Sequence, residues 1–433
     1  MKLKPLFLSF LILNFTFLIQ SNAQSLSSVE KQIIEHVKVN MPQTEKLLID
    51  AVNINSGTLN HAGVREVGQL FRKEFDAMGF TTEWISLPDS LNRAGHLVAY
   101  RKGKKGKKLF LIGHLDTVFE KSMPAGPFTR LTDSTATGQG VNDMKGGDVM
   151  IIAGLKALYA QGLLDDTNIT VYFTGDEESA GKPTSISRKD FIDRAKECEV
   201  ALAYETAQSF DIAATARRGA SGWHLTTHGK TGHSSGVFNK TMGYGAIYEA
   251  ARILDEFREA LSQEKYLTFN PGVIVGGTEV NYDPAQAKGT AVGKTNIVAQ
   301  KVEVTGDLRF LTEAQKEAAR TKMREIVAKN LNATSAEIKF SDGIPAMEPT
   351  EANTKLLEIL SKASQDMGLG PVKAGDPGSR GAGDISYIAQ YVSCLDGLGA
   401  SGRGAHAPGE TINLKEYPAL IQRSALLLYR LTR

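Results

Sequence analysis

Cysteine is nearly missing from this chain. Cys198 and Cys394 are its two cysteines in 433 residues, too few for a disulfide scaffold. They leave one bridge or two buried thiols as the alternatives. An excess of one charge is missing too. Fifty Lys and Arg against 48 Asp and Glu give a net charge of +2, which implies no polyanionic partner and no nucleic-acid footprint. The one basic cluster, Lys102-Gly-Lys-Lys-Gly-Lys-Lys108, falls between two apolar stretches and reads as a solvated hairpin turn. No internal repeat, no low-complexity tract and no Gly-x-Ser-x-Gly nucleophile turn is present, which argues against a serine hydrolase. Beyond residue 23 no apolar run is long enough to cross a bilayer, which takes about 20 residues.

The first 23 residues stand apart. Lys2 and Lys4 precede an apolar run over residues 6–19, and Ser21-Asn22-Ala23 offers small residues where a signal peptidase reads. A cleaved export signal ending before Gln24 is expected, with no nearby Cys for a lipid anchor. The mature chain is then periplasmic or secreted, with no membrane anchor.

The chain beyond residue 23 is too long for one ordinary core. Apolar spacing predicts helices over residues 28–51, divided at Pro42, and over 64–78. Strands are expected at 82–87, 96–100, 108–113, 168–174 and 200–204, with a helix at 146–161 closed by Gly162. Strands alternating with helices argue for an α/β domain with a largely parallel central sheet. After about residue 216 the rhythm changes. Strands at 222–229, 268–275, 296–311 and 336–340, with helices at 243–261 and 312–331, give a β-α-β-β-α-β order that fits a compact ferredoxin-like α+β insert. From about residue 345 the first pattern returns, with a helix at 353–367, a strand at 391–395 and a helix at 414–431. The expected organisation is therefore a first domain at 24–216 and 345–433, interrupted by a smaller one at 217–344.

Five patterns carry chemistry. A strand runs into His114-Leu-Asp116, and side chains two apart leave a strand on the same side. Asp116 can then accept the far ring N–H of His114 and leave its near nitrogen as a metal donor, although a satisfied strand-end histidine reads equally well. Asp143, in Gly138-Gln-Gly-Val-Asn-Asp143-Met-Lys-Gly-Gly147, arrives just ahead of a helix, where capping is the alternative role. Gly175-Asp-Glu177-Glu178 places three acids in a row at the end of a buried strand, costly unless something positive neutralises them; a solvated acidic turn is the alternative. Glu205 closes another strand, as many exposed glutamates do. His406 follows the glycine-rich turn Gly399-Ala-Ser-Gly-Arg-Gly-Ala, which an ordinary surface loop also explains. Taken together, His114, Asp143, Glu178, Glu205 and His406 mostly follow the C-terminal ends of strands, where open α/β sheets build their sites. Mixed imidazole and carboxylate ligands suit zinc, with cobalt or manganese as substitutes.

In this order and spacing, His114-x-Asp116, Asp143-x-Lys145-Gly146-Gly147, Glu177-Glu178, Glu205 and His406 resemble the motif set of the M20 metallopeptidase family, its glutamate carboxypeptidases in particular. Acetylornithine deacetylase and succinyl-diaminopimelate desuccinylase are related. The resemblance spans the mature chain and implies two zinc ions: His114 and Glu205 on one, Glu178 and His406 on the other, Asp143 bridging. It implies Glu177 as general base, Asp116 as orienter of His114, and a cis bond after Asp143. The insert resembles the family's lid and dimerisation domain. There His233 would steady the oxyanion, while Asn296 and Arg309 would grip the substrate carboxylate. Gly381-Ala-Gly383-Asp384 resembles a pocket-lining segment. The implied activity is release of a C-terminal residue from small peptides or N-acyl amino acids, by a homodimer; aminoacylase or dipeptidase action is the alternative. Two features depart from the glutamate-specific pattern. Ile344-Pro345 stands where those relatives carry Arg-Pro, and the insert looks longer between Gly276 and Lys294.

Overall fold

The computed structural model describes residues 26–123, 126–284 and 286–433; the expected export signal lies outside them. Two helices open the described chain as expected. Ser28–Val39 begins on a capping box in which Ser27 and Glu30 satisfy each other's main-chain N–H, and Met41–Val52 follows with Pro42 in its first turn. The helix His61–Ala77 lays Val64, Val67, Phe71 and Phe75 into the core, where Phe71 and Phe75 pack their rings on Phe173 at 5.8 and 5.7 Å. Burial of each such ring contributes roughly 1.5–3 kcal/mol.

The central sheet has six strands in the order Thr81–Ile85, His96–Arg101, Thr167–Thr174, Lys105–His114, Val200–Ala203 and Ser393–Leu395. The first two pairings are antiparallel and the remaining three parallel, so the sheet is mixed with a parallel half. His96–Arg101 and Lys105–His114 do not pair with each other; both flank Thr167–Thr174. The lysine cluster is therefore not a hairpin turn but a crossing beneath the start of that strand. Asp166 holds it there, taking the N–H of Lys105 on its main-chain carbonyl (2.8 Å) and that of Lys104 on its carboxylate (3.1 Å).

A second, four-stranded antiparallel sheet has the order Thr268–Gly277, Lys301–Phe310, Gly219–Gly229 and Thr334–Asp342. With the helices Gly245–Leu261 and Glu313–Val327 it forms the expected β-α-β-β-α-β unit, around Trp223, Leu225, Ile253, Phe257, Val304 and Met323. Two details differ from the sequence reading. The third strand starts at Lys301 rather than Asn296, because residues 296–298 turn aside to bridge the segment around His233. The extra length after Gly276 is a hairpin, Glu279–Asp283 paired with Lys288–Val292. A small sheet missed from the sequence joins Gly402–Arg403, Thr411–Asn413, Thr135–Thr137 and Thr129–Thr132. Cys198 and Cys394 are both free thiols, and among the described residues no helix is long and apolar enough to cross a membrane.

The helix Lys145–Tyr159 runs through the core between the terminal helices and ends at Gly162, whose φ of +64° suits glycine. Its first turn lies so close to the end of Val200–Ala203 that a Cβ on Gly147 would sit 2.0 Å from the Tyr204 carbonyl oxygen. Gly147→Ala must push helix and strand apart. It is expected to cost about 1–3 kcal/mol, read as a lower denaturation midpoint in urea.

Candidate metal centre

Five segments converge on one acidic cleft, three of them at the C-terminal ends of the parallel strands Lys105–His114, Thr167–Thr174 and Val200–Ala203. His114 ends its strand and is 1% exposed. Its Nδ1 donates to the main-chain carbonyl of Asp116 (3.0 Å), which leaves Nε2 facing Asp143 Oδ1 at 3.3 Å and Glu205 Oε1 at 3.8 Å. His406 comes from the opposite side on a turn with φ +65°. Its Nε2 lies 3.1 Å from Asp143 Oδ2 and 3.2 Å from Glu178 Oε2. Asp143 thus offers one oxygen to each histidine. Ligand atoms of His114, Asp143 and Glu178 lie within 4.8 Å of one another, as do those of His114, Glu177 and Glu205. All five expected ligands and Glu177 therefore meet in one place.

Asp116 is placed near His114, but its carboxylate has other work. At 3.5 Å from Nδ1 it is a secondary partner of the ring. It accepts instead the Thr58 hydroxyl (2.7 Å) and the main-chain N–H groups of Glu177 (3.0 Å) and Glu178 (3.1 Å). The ring N–H of His114 thus faces both acceptors of Asp116, its main-chain carbonyl nearer at 3.0 Å and its carboxylate, which also holds the acidic turn, at 3.5 Å. The expected neutralisation of three consecutive acids is also resolved. Asp176 points away from the cleft onto the fully buried Arg188, whose Nη1 donates to it at 2.5 Å and whose Nε donates to Asp384 at 2.7 Å. Only Glu177 and Glu178 remain for the cleft.

Electrostatics follow from this crowding. Burial and the charges of Glu205, Asp384 and Glu178 push Glu177 well above the usual carboxylate range, and burial beside Asp143 lifts Glu205 to about 7. Glu178 is raised by burial too, and its Oε1 is buried without a hydrogen-bond partner among the described residues. Asp143 goes the other way, because its bonds to both histidines outweigh burial. His406 is raised to about 11 by Asp143 and Glu178, and His114 is raised because Asp116 and Asp143 outweigh its burial. Four carboxylates and two imidazoles with an orphaned acceptor make a donor set that a pair of divalent cations fits. Beneath them Asp148, fully buried and without a hydrogen bond among the described residues, is pushed well above the usual carboxylate range by burial.

The other expected residues lie elsewhere. His233 sits on an exposed turn and accepts the Ser235 N–H (3.2 Å), with Asn296 beside it through its carbonyl and the Ser234 N–H (2.9 Å). Neither touches the acidic cleft among the described contacts. Arg309 is 38% exposed and pairs with Asp307 on its own strand (3.0 Å). Gly383 is buried against Arg217, which takes up the carbonyls of Gly381 (2.6 Å) and Ala382 (3.2 Å) and the Asp396 carboxylate (2.6 Å). Those two carbonyls are thus turned inward. Arg188, Arg217, Thr58 and Glu410 were not found from the sequence; the acidic run at Asp176 was the one signal asking for a buried cation.

Fold and cleft together define an α/β protein that gathers paired histidines and carboxylates at the ends of parallel strands. The chain belongs to peptidase family M20/M25/M40, whose sequence pattern matches residues 110–430. It is similar to carboxypeptidase G2 of Pseudomonas sp. (strain RS-16), 26% identical over 396 residues that cover 89% of each protein. Its fold is similar to that of aminopeptidase PepT from Bacillus cereus ATCC 10987, with a TM-score of 0.68 at 17% identity over 90% of this chain and 99% of that one. It is also similar to that of YxeP from Bacillus subtilis, a dinuclear metal-binding peptidase of the M20 family, with a TM-score of 0.63 at 14% identity over 91% and 99% of the two chains.

Without metal, the surrounding carboxylates raise both histidines, His406 to about 11, whereas ligation needs neutral imidazole. Zinc binding is therefore expected to release more than one proton per chain and to tighten as pH rises. Calorimetry in two buffers of different ionisation enthalpy measures the proton count.

Proposed function

We propose that this chain is a two-zinc exopeptidase, a carboxypeptidase that hydrolyses the amide bond of a C-terminal residue in small peptides or N-acyl amino acids. The observation that carries the reading is Asp143, whose two oxygens face two histidines, each with a further carboxylate beside it. His114 and Glu205 would hold one zinc, Glu178 and His406 the other, with Asp143 shared; cobalt or manganese suits the same ligands. When bound, the pair supplies the positive charge that polarises the scissile carbonyl and acidifies a water.

The chain's own residues do the rest. Glu177 is the carboxylate of the cleft not needed as a ligand, and Asp116 fixes its main chain at 3.0 Å. It accepts the proton that the attacking water loses and delivers it to the nitrogen of the departing amine. Asp116 keeps the turn still and, through its carbonyl, keeps the lone pair of His114 on Nε2. His233 would steady the oxyanion, with Asn296 and Arg309 gripping the substrate carboxylate. His233 and Asn296 are neighbours on the second sheet. Their distance from the cleft calls for closure of that unit or for a second subunit. We infer a homodimer through this unit, supported by its exposed Phe238, Ile247, Tyr248 and Ile274. From the apolar leader we infer export to the periplasm or beyond. Carboxypeptidase G2, as a relative covered along most of its length, favours C-terminal release over other amide hydrolysis.

Two measurements test the reading. In a panel of C-terminally varied dipeptides, N-acyl amino acids and folyl-glutamate, chelator-sensitive release confined to certain C-terminal residues is expected. Turnover set by the acyl group or the N-terminal residue would instead mean aminoacylase or dipeptidase action. Glu177→Gln is expected to retain two zinc ions and the parent melting temperature while kcat falls about 10²–10⁴-fold; undiminished turnover would remove Glu177 from the mechanism.

A further inference from the structure

Building on the reading of Asp143 and His406 as metal ligands, we propose that Glu410 is a positioning residue that holds these two ligands in one frame. It thereby sets the affinity of the metal that His406 and Glu178 would share. Glu410 follows His406 by four residues and is 1% exposed. Its Oε1 accepts the main-chain N–H groups of Asn142 (2.6 Å) and Asp143 (2.8 Å), and its Oε2 accepts that of Gly140 (3.3 Å). Its own carbonyl accepts the Thr137 hydroxyl (2.6 Å) and the Gly138 N–H (3.4 Å). One side chain and its peptide group thus gather the whole approach to Asp143.

The same residue is locked to His406. Ala407 donates its N–H to the Gly404 carbonyl (3.1 Å), and Glu410 donates its own to the Ala407 carbonyl (3.1 Å). Immediately afterwards Thr411–Asn413 pairs with Thr135–Thr137. The loop that delivers Asp143 and the turn that delivers His406 are therefore joined at Glu410. His114 and Glu205 are placed differently, at the ends of the strands Lys105–His114 and Val200–Ala203. Loosening the joint should disturb the His406 side of the pair more than the His114 side.

The carboxylate matters because it presents acceptors on both oxygens to these three N–H groups, whereas an amide of the same shape presents one and turns an NH₂ toward an N–H donor. Partners behind metal ligands of this sort typically set metal affinity within about 10–100-fold. The test is stepwise zinc titration of the chelator-stripped full chain against a competing chromophoric chelator, for the parent and for Glu410→Gln. The melting temperatures of the metal-free forms serve as a check on the fold.

We expect the parent to bind two zinc ions and Glu410→Gln to bind one of them about 10–100-fold less tightly, with the other step shifted far less. If both steps are unchanged, or both weaken equally, the positioning role is overturned while the two-metal reading stands. A parent that binds no zinc overturns both. Should Glu410→Gln not fold, Thr137→Val removes one bond of the same clamp. It is expected to weaken the same step about two- to tenfold, the worth of one hydrogen bond; no change there also overturns the proposal.

Discussion

Carboxylates repel one another, and this fold gathers four of them, Asp143, Glu177, Glu178 and Glu205, around the buried His114 and the exposed His406. The rest of the structure can be read as the means of holding that arrangement. Burial and mutual charge lift Glu177, Glu178 and Glu205, and the two histidines draw protons to themselves. A cleft of this kind cannot be left to flexible loops, because each group would drift toward water. Several segments that line it are accordingly tied down by buried polar groups outside the candidate ligand set.

Three such ties use opposite charge or paired donors. Asp116 fastens the acidic turn by its two amide groups. Arg188 draws Asp176 and Asp384 together and so fixes both the residue before Glu177 and the residue after Gly383. Arg217 braces the adjacent glycine segment through two carbonyls and Asp396. Buried ion pairs of this kind contribute little net stability, since desolvation offsets attraction. Their contribution here is geometric, in that they decide which acids face the cleft and which do not.

Much of this was legible in the sequence, for identifiable reasons. Periodicity located the strands and helices because most of them bury one continuous face, as His61–Ala77 does. The strand-end pattern His114-Leu-Asp116 and the glycines around Asp143 announced ligands because metal chemistry demands particular side chains at places where a backbone can deliver them. What stayed hidden was relational. Nothing near Arg188 in the sequence says that it will meet Asp384, 196 residues away. A lysine-rich stretch between two strands looks like a hairpin until Thr167–Thr174 is found to insert between them. The strands Gly402–Arg403 and Thr411–Asn413, two and three residues long, are too short to carry any periodicity. Asp116 was found beside His114 but its further donors were not, because spacing along a strand reveals which side a group faces and not every donor that reaches it.

The edge strand Ser393–Leu395 joins the central sheet only after the whole second sheet has been made, and His406 comes later still. Synthesis therefore delivers the cleft in two instalments. A chain emerging from the ribosome carries His114, Asp143, Glu178 and Glu205 long before its last histidine, and in that interval the cleft lacks one of its two imidazoles. Contacts this distant along the chain form late and slowly. Completion of the site then coincides with completion of the fold.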